Sequence, residues 1–210
     1  MTSKLREEIC KIGQSLYARG YTAGSSGNIS VRLPDGGWLM TPTNIAMGDL
    51  DPAELALIDA QGRFVSGPKP TKESFLHLAM YRHRADAGAV VHLHSTHAVA
   101  VSMLEETDPD AAIPPLTAYA VMKLGKVKLV PYFPPGDPAL GDAVAAVAGK
   151  HHAVLLANHG PVVAGKDLRA AQYASEELEE TAKLLFILGD RRYRALTPDA
   201  ILDLQHRFPS

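Results

Sequence analysis

The run Ala89-Val90-Val91-His92-Leu93-His94 is short, apolar for most of its length, and closes on two histidines two positions apart. A run of this kind reads as a buried strand, and side chains alternate faces along a strand. His92 and His94 therefore point to the same side, where two neutral imidazoles can reach one ion at about 2.0–2.1 Å. A second apolar run, Ala153 to Ala157, leads into Asn158-His159-Gly160-Pro161, so a third histidine stands at a strand end before a sharp turn. Three protein ligands with an open position form the pattern of catalytic metal sites; structural sites are closed. His97 is a rival ligand, but a helix starting after His94 carries it off the strand face and makes it a supporting residue. His77 and His83 fall on a helix and read as surface or packing residues. His151, His152 and His206 read as solvated.

The rest of the chain alternates short elements and turn signals. Leu5, Ile9, Ile12 and Leu16 recur at helical spacing, with Gly20 where the helix would end. Ile29 to Leu33 and Trp38-Leu39-Met40 read as a hairpin across Pro34-Asp35-Gly36-Gly37, and Leu55 to Ala60 and Arg63 to Ser66 as two more short strands. A helix is expected from Thr71, with Phe75, Leu76, Ala79 and Met80 on its apolar side. Ser95 is placed to cap a helix to about Leu104, and 105–115 read as a proline-rich loop. Val127 to Tyr132 reads as a strand, Ala139 to Ala148 as a helix, and Val162-Val163 as the hairpin partner of Ala153–Ala157. Asp167 caps a long helix to about Leu188, whose apolar positions include Tyr173, Leu178, Leu184 and Leu185. A charged tail with a short final helix follows Gly189. Early strand pairs followed by mixed strands and helices suggest one layered α/β or α+β sheet domain.

Composition excludes several classes. The 210 residues include 21 Lys+Arg and 23 Asp+Glu, a net charge of −2, so no basic excess points to nucleic acid or a membrane surface. One cysteine, Cys10, allows no internal disulfide and fits a reducing cytoplasm. No apolar run approaches the roughly 18–20 residues of a membrane span, and the first residues carry no apolar signal core.

Two further segments carry chemistry. Glu73 is expected in the first turn of the helix from Thr71, as a base or a fourth metal ligand; the helix dipole alone also favours an acid there. Lys72 beside it asks for an anionic partner. Ala23-Gly24-Ser25-Ser26-Gly27-Asn28 could cradle an anion with backbone N–H groups and hydroxyls. It is not a P-loop, since no Gly-Lys-Ser/Thr follows, and it precedes a strand, unlike a dinucleotide fingerprint.

Five pieces in order, Ser26-Gly27-Asn28-Ile29-Ser30, Thr41-Pro42-Thr43, the helix start at Glu73, His92-Leu93-His94-Ser95 and Asn158-His159-Gly160, resemble the class II aldolase and adducin family over about residues 5–190. Lys69-Pro70-Thr71-Lys72-Glu73, Pro114-Pro115-Leu116-Thr117-Ala118-Tyr119 and Leu156-Ala157-Asn158-His159-Gly160 look most like its 3-oxo-tetronate 4-phosphate decarboxylases. The resemblance implies a single α/β domain over 1–210, with a central, mainly antiparallel sheet flanked by helices, a homotetramer and a divalent metal, usually zinc. By position, His92, His94 and His159 match metal ligands, and Glu73 matches an acid/base that also touches the metal. Tyr119 matches a proton donor reaching a neighbouring subunit's site. Ser26, Asn28, Thr43, Asn44 and Thr71 match a phosphate cradle. Sugar-phosphate aldolases often carry two serines just before the glutamate; here Thr71 and Lys72 stand there. Lys72 could pair with a substrate carboxylate, favouring a sugar-acid phosphate, or with the phosphate. Decarboxylation, aldol cleavage and epimerisation remain open on the residues alone. The intact ligand set argues against an adducin-like interaction module.

Overall fold

The computed structural model describes residues 2–208. It contains one eight-stranded sheet, and seven helices of the α type lie about it. Helix α1 (Thr2–Ala18) turns its Ile9, Ile12 and Leu16 face inward, and Gly20, at φ +76°, accommodates a left-handed turn that ordinary side chains resist. Strands β1 (Asn28–Arg32) and β2 (Trp38–Met40) form the expected hairpin, and β3 (Ala56–Ile58) and β4 (Phe64–Ser66) extend it to one edge. Helix α2 (Ser74–His83), strand β5 (Ala89–His92) and the six-residue helix α3 (Thr96–Val101) follow. After the proline-rich loop come α4 (Ala118–Leu124), β6 (Lys128–Val130) and α5 (Pro138–Ala148). The hairpin β7 (Ala153–Leu156) and β8 (Gly160–Gly165), the long α6 (Leu168–Leu188) and the terminal α7 (Pro198–Arg207) complete the described residues.

The strand order is β4-β3-β2-β1-β5-β8-β7-β6. Every pairing is antiparallel except β6 with β7, so the expected mainly antiparallel sheet is present, with one parallel edge. β5 lies in the middle, paired to β1 (Asn28↔His92, Ser30↔Val90) and to β8 (His92↔Val162, Val90↔Ala164). Alternation then sorts the core. Met40, Val90, Val154 and Val162 pack with Leu76, Met80, Leu140 and Val144 of α2 and α5 on one face. On the other face Ile29, Leu39 and Val91 pack with Ile9, Ile12 and Leu16 of α1, and Leu155 and Val163 with Ala174, Leu178 and Ala182 of α6.

Three differences from the sequence reading have physical reasons. The helix expected from Thr71 begins at Ser74, because Thr71 takes the Glu73 N–H on its Oγ1 at 3.2 Å and holds a turn there. α3 stops at Val101, short of Leu104, and α4, which carries Tyr119, is an addition, capped by Thr117 Oγ1 accepting from Ala120 N–H. In α6 the buried face is made mainly of small residues such as Ala171, Ala174, Ser175 and Ala182 around Leu178. Tyr173 and Leu184 are exposed.

Ile29 is fully buried in the central strand β1. Ile29→Ala should lower stability by about 2–5 kcal/mol, read from a urea melt. A loss below about 0.5 kcal/mol, as at surface sites, would contradict the packing described.

Candidate metal centre and substrate cavities

His92 ends β5 with no exposure to solvent. Its Nδ1 lies 2.8 Å from the Pro161 carbonyl oxygen. A carbonyl only accepts, so Nδ1 carries the proton and Nε2 presents a lone pair. That carbonyl–imidazole support is usual behind a metal-ligating histidine. His94 lies two residues on, past the strand end, with Nε2 3.0 Å from His92 Nε2. His159 comes from the β7–β8 turn, its ring nearly perpendicular to both others at centroid distances of 4.9 and 4.7 Å. The turn is narrow: a Cβ on Gly160 would lie 2.2 Å from the Leu93 carbonyl oxygen, so only glycine lets the two histidine-bearing segments approach this closely.

Glu73 occupies the cap position just before α2, yet its side chain makes no cap hydrogen bond. It points into the cluster instead, with Oε1 3.0 Å from His159 Nε2 and Oε2 3.4 Å from His92 Nε2. Attraction to the helix dipole therefore does not explain it. One ligand atom from each of Glu73, His92, His94 and His159 lies within 4.8 Å of the others. Tetrahedral bonds of about 2.0–2.1 Å give ligand–ligand edges of about 3.3 Å, close to the spacings seen. Three imidazoles and a carboxylate, backed by a carbonyl, fit a divalent cation.

The rival ligand is tied elsewhere. His97 Nδ1 lies 2.8 Å from Glu179 Oε1 of α6, which also accepts from the His97 N–H at 3.0 Å, while Oε2 accepts from the Ala98 N–H at 2.8 Å. Glu179 thus caps α3, and Ser95, at the cap position as expected, caps nothing.

Two cavities meet at Glu73 and His94. The smaller, about 290 Å³, is lined by Ser26, Asn28, Thr43, Asn44, Thr71 and Lys72, the whole set singled out in the sequence for substrate. Lys72 is on this side, among the hydroxyls and amides. Asn28 is less free than expected, because its amide is held between Glu73 and His77. The larger cavity, about 530 Å³, is lined by Thr96, Val99, Tyr132, Phe133, Pro135 and Asn158 with Glu73, His94 and His159. Tyr119 is 63% exposed on α4 and lines neither. Sequence reasoning missed Tyr132 and Phe133, which carry no motif. It set His77 aside, though its position four residues after Glu73 puts it on the same side of α2.

The sequence pattern of the Class II Aldolase and Adducin N-terminal domain matches residues 7–186. The chain belongs to that family. A 3-oxo-tetronate 4-phosphate decarboxylase of Pectobacterium atrosepticum is 52% identical over 201 residues, covering 96% of this chain and 92% of its own. An L-fuculose phosphate aldolase of Methanococcus maripaludis is 36% identical, covering 87% and 97%. The crystal structure of YgbL from Escherichia coli, 49% identical, superposes with a TM-score of 0.96 over 97% of this chain and 99% of that one.

Electrostatics suit the ligand set of a class II aldolase. Burial lowers the pKa of His94 to about 4, helped by the neighbouring His92 and His159, and lowers that of His92. Both rings are therefore neutral and able to ligate at neutral pH. Burial works to raise the Glu73 carboxyl, but the His159 hydrogen bond, the nearby His92 ring and the Asn28 amide outweigh it, and Glu73 stays ionised well below the usual range. His77, fully buried, is pushed down to about 3, mainly by desolvation.

These shifts fix the sign of the acid response. His94 and His77 have folded pKa values below the unfolded value, so the unfolded chain binds their protons first. Metal-free protein should lose stability as pH falls from about 6.5 towards 4, by up to about 1.4 kcal/mol per pH unit for each such histidine. Glu73, depressed in the fold, adds a loss once pH passes below its unfolded value of 4.5. Urea midpoints measured with chelator present should fall over this window, and His77→Gln should show a shallower slope. A flat profile between pH 6.5 and 4 would contradict buried neutral histidines.

Proposed function

We propose that the chain is a metal-dependent carbon–carbon lyase that decarboxylates a 3-oxo-tetronate 4-phosphate to dihydroxyacetone phosphate and carbon dioxide. The observation that carries this reading is the placement of the Glu73, His92, His94 and His159 cluster where a polar, lysine-bearing cavity meets a second cavity with apolar walls. The choice of decarboxylation over aldol cleavage is supported by 52% identity to the decarboxylase against 36% to the aldolase. We take the whole chain, 1–210, as one domain working in the cytoplasm.

His92, His94 and His159 would hold the cation, with Glu73 completing the set before substrate arrives; zinc suits three imidazoles, as manganese, cobalt or iron also could. When bound, a divalent cation supplies Lewis-acid polarisation of the ketone β to the carboxylate. Ser26, Thr43, Asn44 and Thr71 grip the phosphate through hydroxyls, an amide and backbone N–H groups. Lys72, in the same cavity, neutralises the phosphate, one of the two roles its sequence position left open. The reacting carboxylate then faces the Val99, Tyr132 and Phe133 side, where no Lys or Arg lines the wall to hold its charge in place, and that charge passes to C2 as carbon dioxide leaves neutral. The C1–C2 bond breaks, its electron pair is left at C2, and a proton must reach that carbon. Glu73, which borders both cavities, is ionised at rest, so it takes a proton from water and passes it to C2. Tyr119, exposed on α4, acts in a neighbouring subunit's site, which calls for an oligomer; a homotetramer fits the family resemblance.

Incubation with 3-oxo-tetronate 4-phosphates should yield dihydroxyacetone phosphate and one equivalent of carbon dioxide. His92→Ala or His94→Ala should strip most of the metal and nearly all turnover, and Glu73→Gln should cut turnover at least about a hundredfold. Cleavage of fuculose phosphate with no carbon dioxide from any 3-oxo acid would replace this reading with the aldolase one.

Lys72→Met should weaken substrate and dihydroxyacetone phosphate alike, about tenfold or more, because both carry the phosphate. Loss confined to the acid, seen by competition assays, would return Lys72 to the carboxylate.

A further inference from the structure

A file of buried polar groups runs from Glu73 into the interior between β1 and α2. Asn28 Nδ2 donates to Glu73 Oε2 at 2.8 Å. Asn28 Oδ1 is hydrogen-bonded to His77 Nε2. Ser30 Oγ lies 2.7 Å from His77 Nδ1 and 2.9 Å from the Tyr81 hydroxyl. Asn28, Ser30, His77 and Tyr81 are all buried.

The carboxylate end fixes the direction of every bond. An ionised carboxylate only accepts, so it must face the Asn28 NH₂, which turns Oδ1 towards His77. That oxygen only accepts, so His77 Nε2 carries the proton and the neutral ring accepts at Nδ1. Ser30 must then donate to Nδ1 and is left to accept from the Tyr81 hydroxyl. Four polar side chains give up water for this arrangement, in a place where apolar groups would cost nothing to bury. Their bonds all run towards one oxygen of Glu73.

We propose that His77 is a positioning residue: through Asn28 it aims the Glu73 carboxylate at the three-histidine cluster, with Ser30 and Tyr81 setting its tautomer. Without the His77 donor the Asn28 amide can rotate, and Glu73 loses the bond that fixes Oε2. The inference rests on Glu73 and the histidines sharing a cation; it does not depend on which sugar acid reacts.

The test measures zinc affinity of apo-protein by competition with a chromophoric chelator, beside kcat and KM. His77→Leu should weaken zinc about 10–100-fold, the range expected when support behind a ligand is removed. Its kcat should fall while KM stays within about threefold. His77→Gln, whose amide can still donate to Asn28, should regain most of both. In an Asn28→Ala background His77→Leu should add little, since its effect passes through Asn28. Equal losses in both backgrounds, or native zinc affinity in folded His77→Leu, would overturn the proposal. If circular dichroism shows that His77→Leu does not fold, Ser30→Ala carries the test. It keeps the ring but frees its tautomer; weaker zinc supports the relay and native affinity overturns it. Should the wild type release no carbon dioxide, the affinity measurements still decide this inference, and only the substrate reading fails.

Discussion

The antiparallel register of β1 against β5 is the constraint on which the site depends. Pairing Asn28 with His92 puts both residues at the same sheet end and on the same face, and Ser30 (i+2) and Val90 (i−2) follow them. From that register come the metal-facing lone pair of His92, the contact between Asn28 and Glu73, and the meeting of β1 with α2. A slip of one residue would turn His92 into the α1 side of the core and Val91 towards Glu73, because strand faces alternate. The neighbouring pair β5–β8 locks the same end from the other side, since His92 lies opposite Val162 and bonds the Pro161 carbonyl.

Much of this was legible in the residues. Alternation alone put His92 and His94 on one face, and the apolar run before His159 announced a strand end. Asp167 behaved as a local rule predicts, accepting from the Ala170 N–H to cap α6. The six substrate candidates, scattered from Ser26 to Lys72, do line one cavity, which rested on family resemblance and had no local spacing to reveal it. What escaped was set by partners distant in sequence. Ser95 has the right backbone for a cap, but Glu179 arrives from α6 and takes the free N–H groups. Glu73 reads as a candidate base or ligand, but the helix dipole explains it equally well until the fold brings His92 and His159 to it. His77 looked like packing because nothing nearby in sequence shows that Asn28 will lie against it. Helix α4, just beyond the proline-rich loop at 105–115, goes unassigned in the sequence, although Thr117 and Gly125 bracket it with ordinary helix-end chemistry.

On the proposed function, the two cavities divide the work of the site. The polar cavity would take the phosphate, and the cluster, holding a cation, would face the carbonyl that must take up negative charge. The group that departs would then face Val99, Tyr132 and Phe133, which line the second cavity. Val99 lies on α3 and Tyr132 and Phe133 on the loop after β6, whereas His92 ends β5, His94 follows it, His159 sits in the β7–β8 turn and Glu73 precedes α2. Substitutions at Val99, Tyr132 or Phe133 would change the surroundings of the departing group while leaving the four cluster residues in place.

The cap supplied by Glu179 also has a consequence for the order of assembly. A six-residue helix is too short to persist alone, and α3 borrows its N-terminal acceptor from a residue 82 positions downstream of His97. The chain after His94 therefore has no settled path until α6 has docked, and closing so long a loop carries a large entropic cost before any contact rewards it. The histidine pair is read early in the sequence, yet the backbone that carries it onward is organised late, and exchange of the His97 and Ala98 amides with solvent is thereby tied to release of the far end of the molecule.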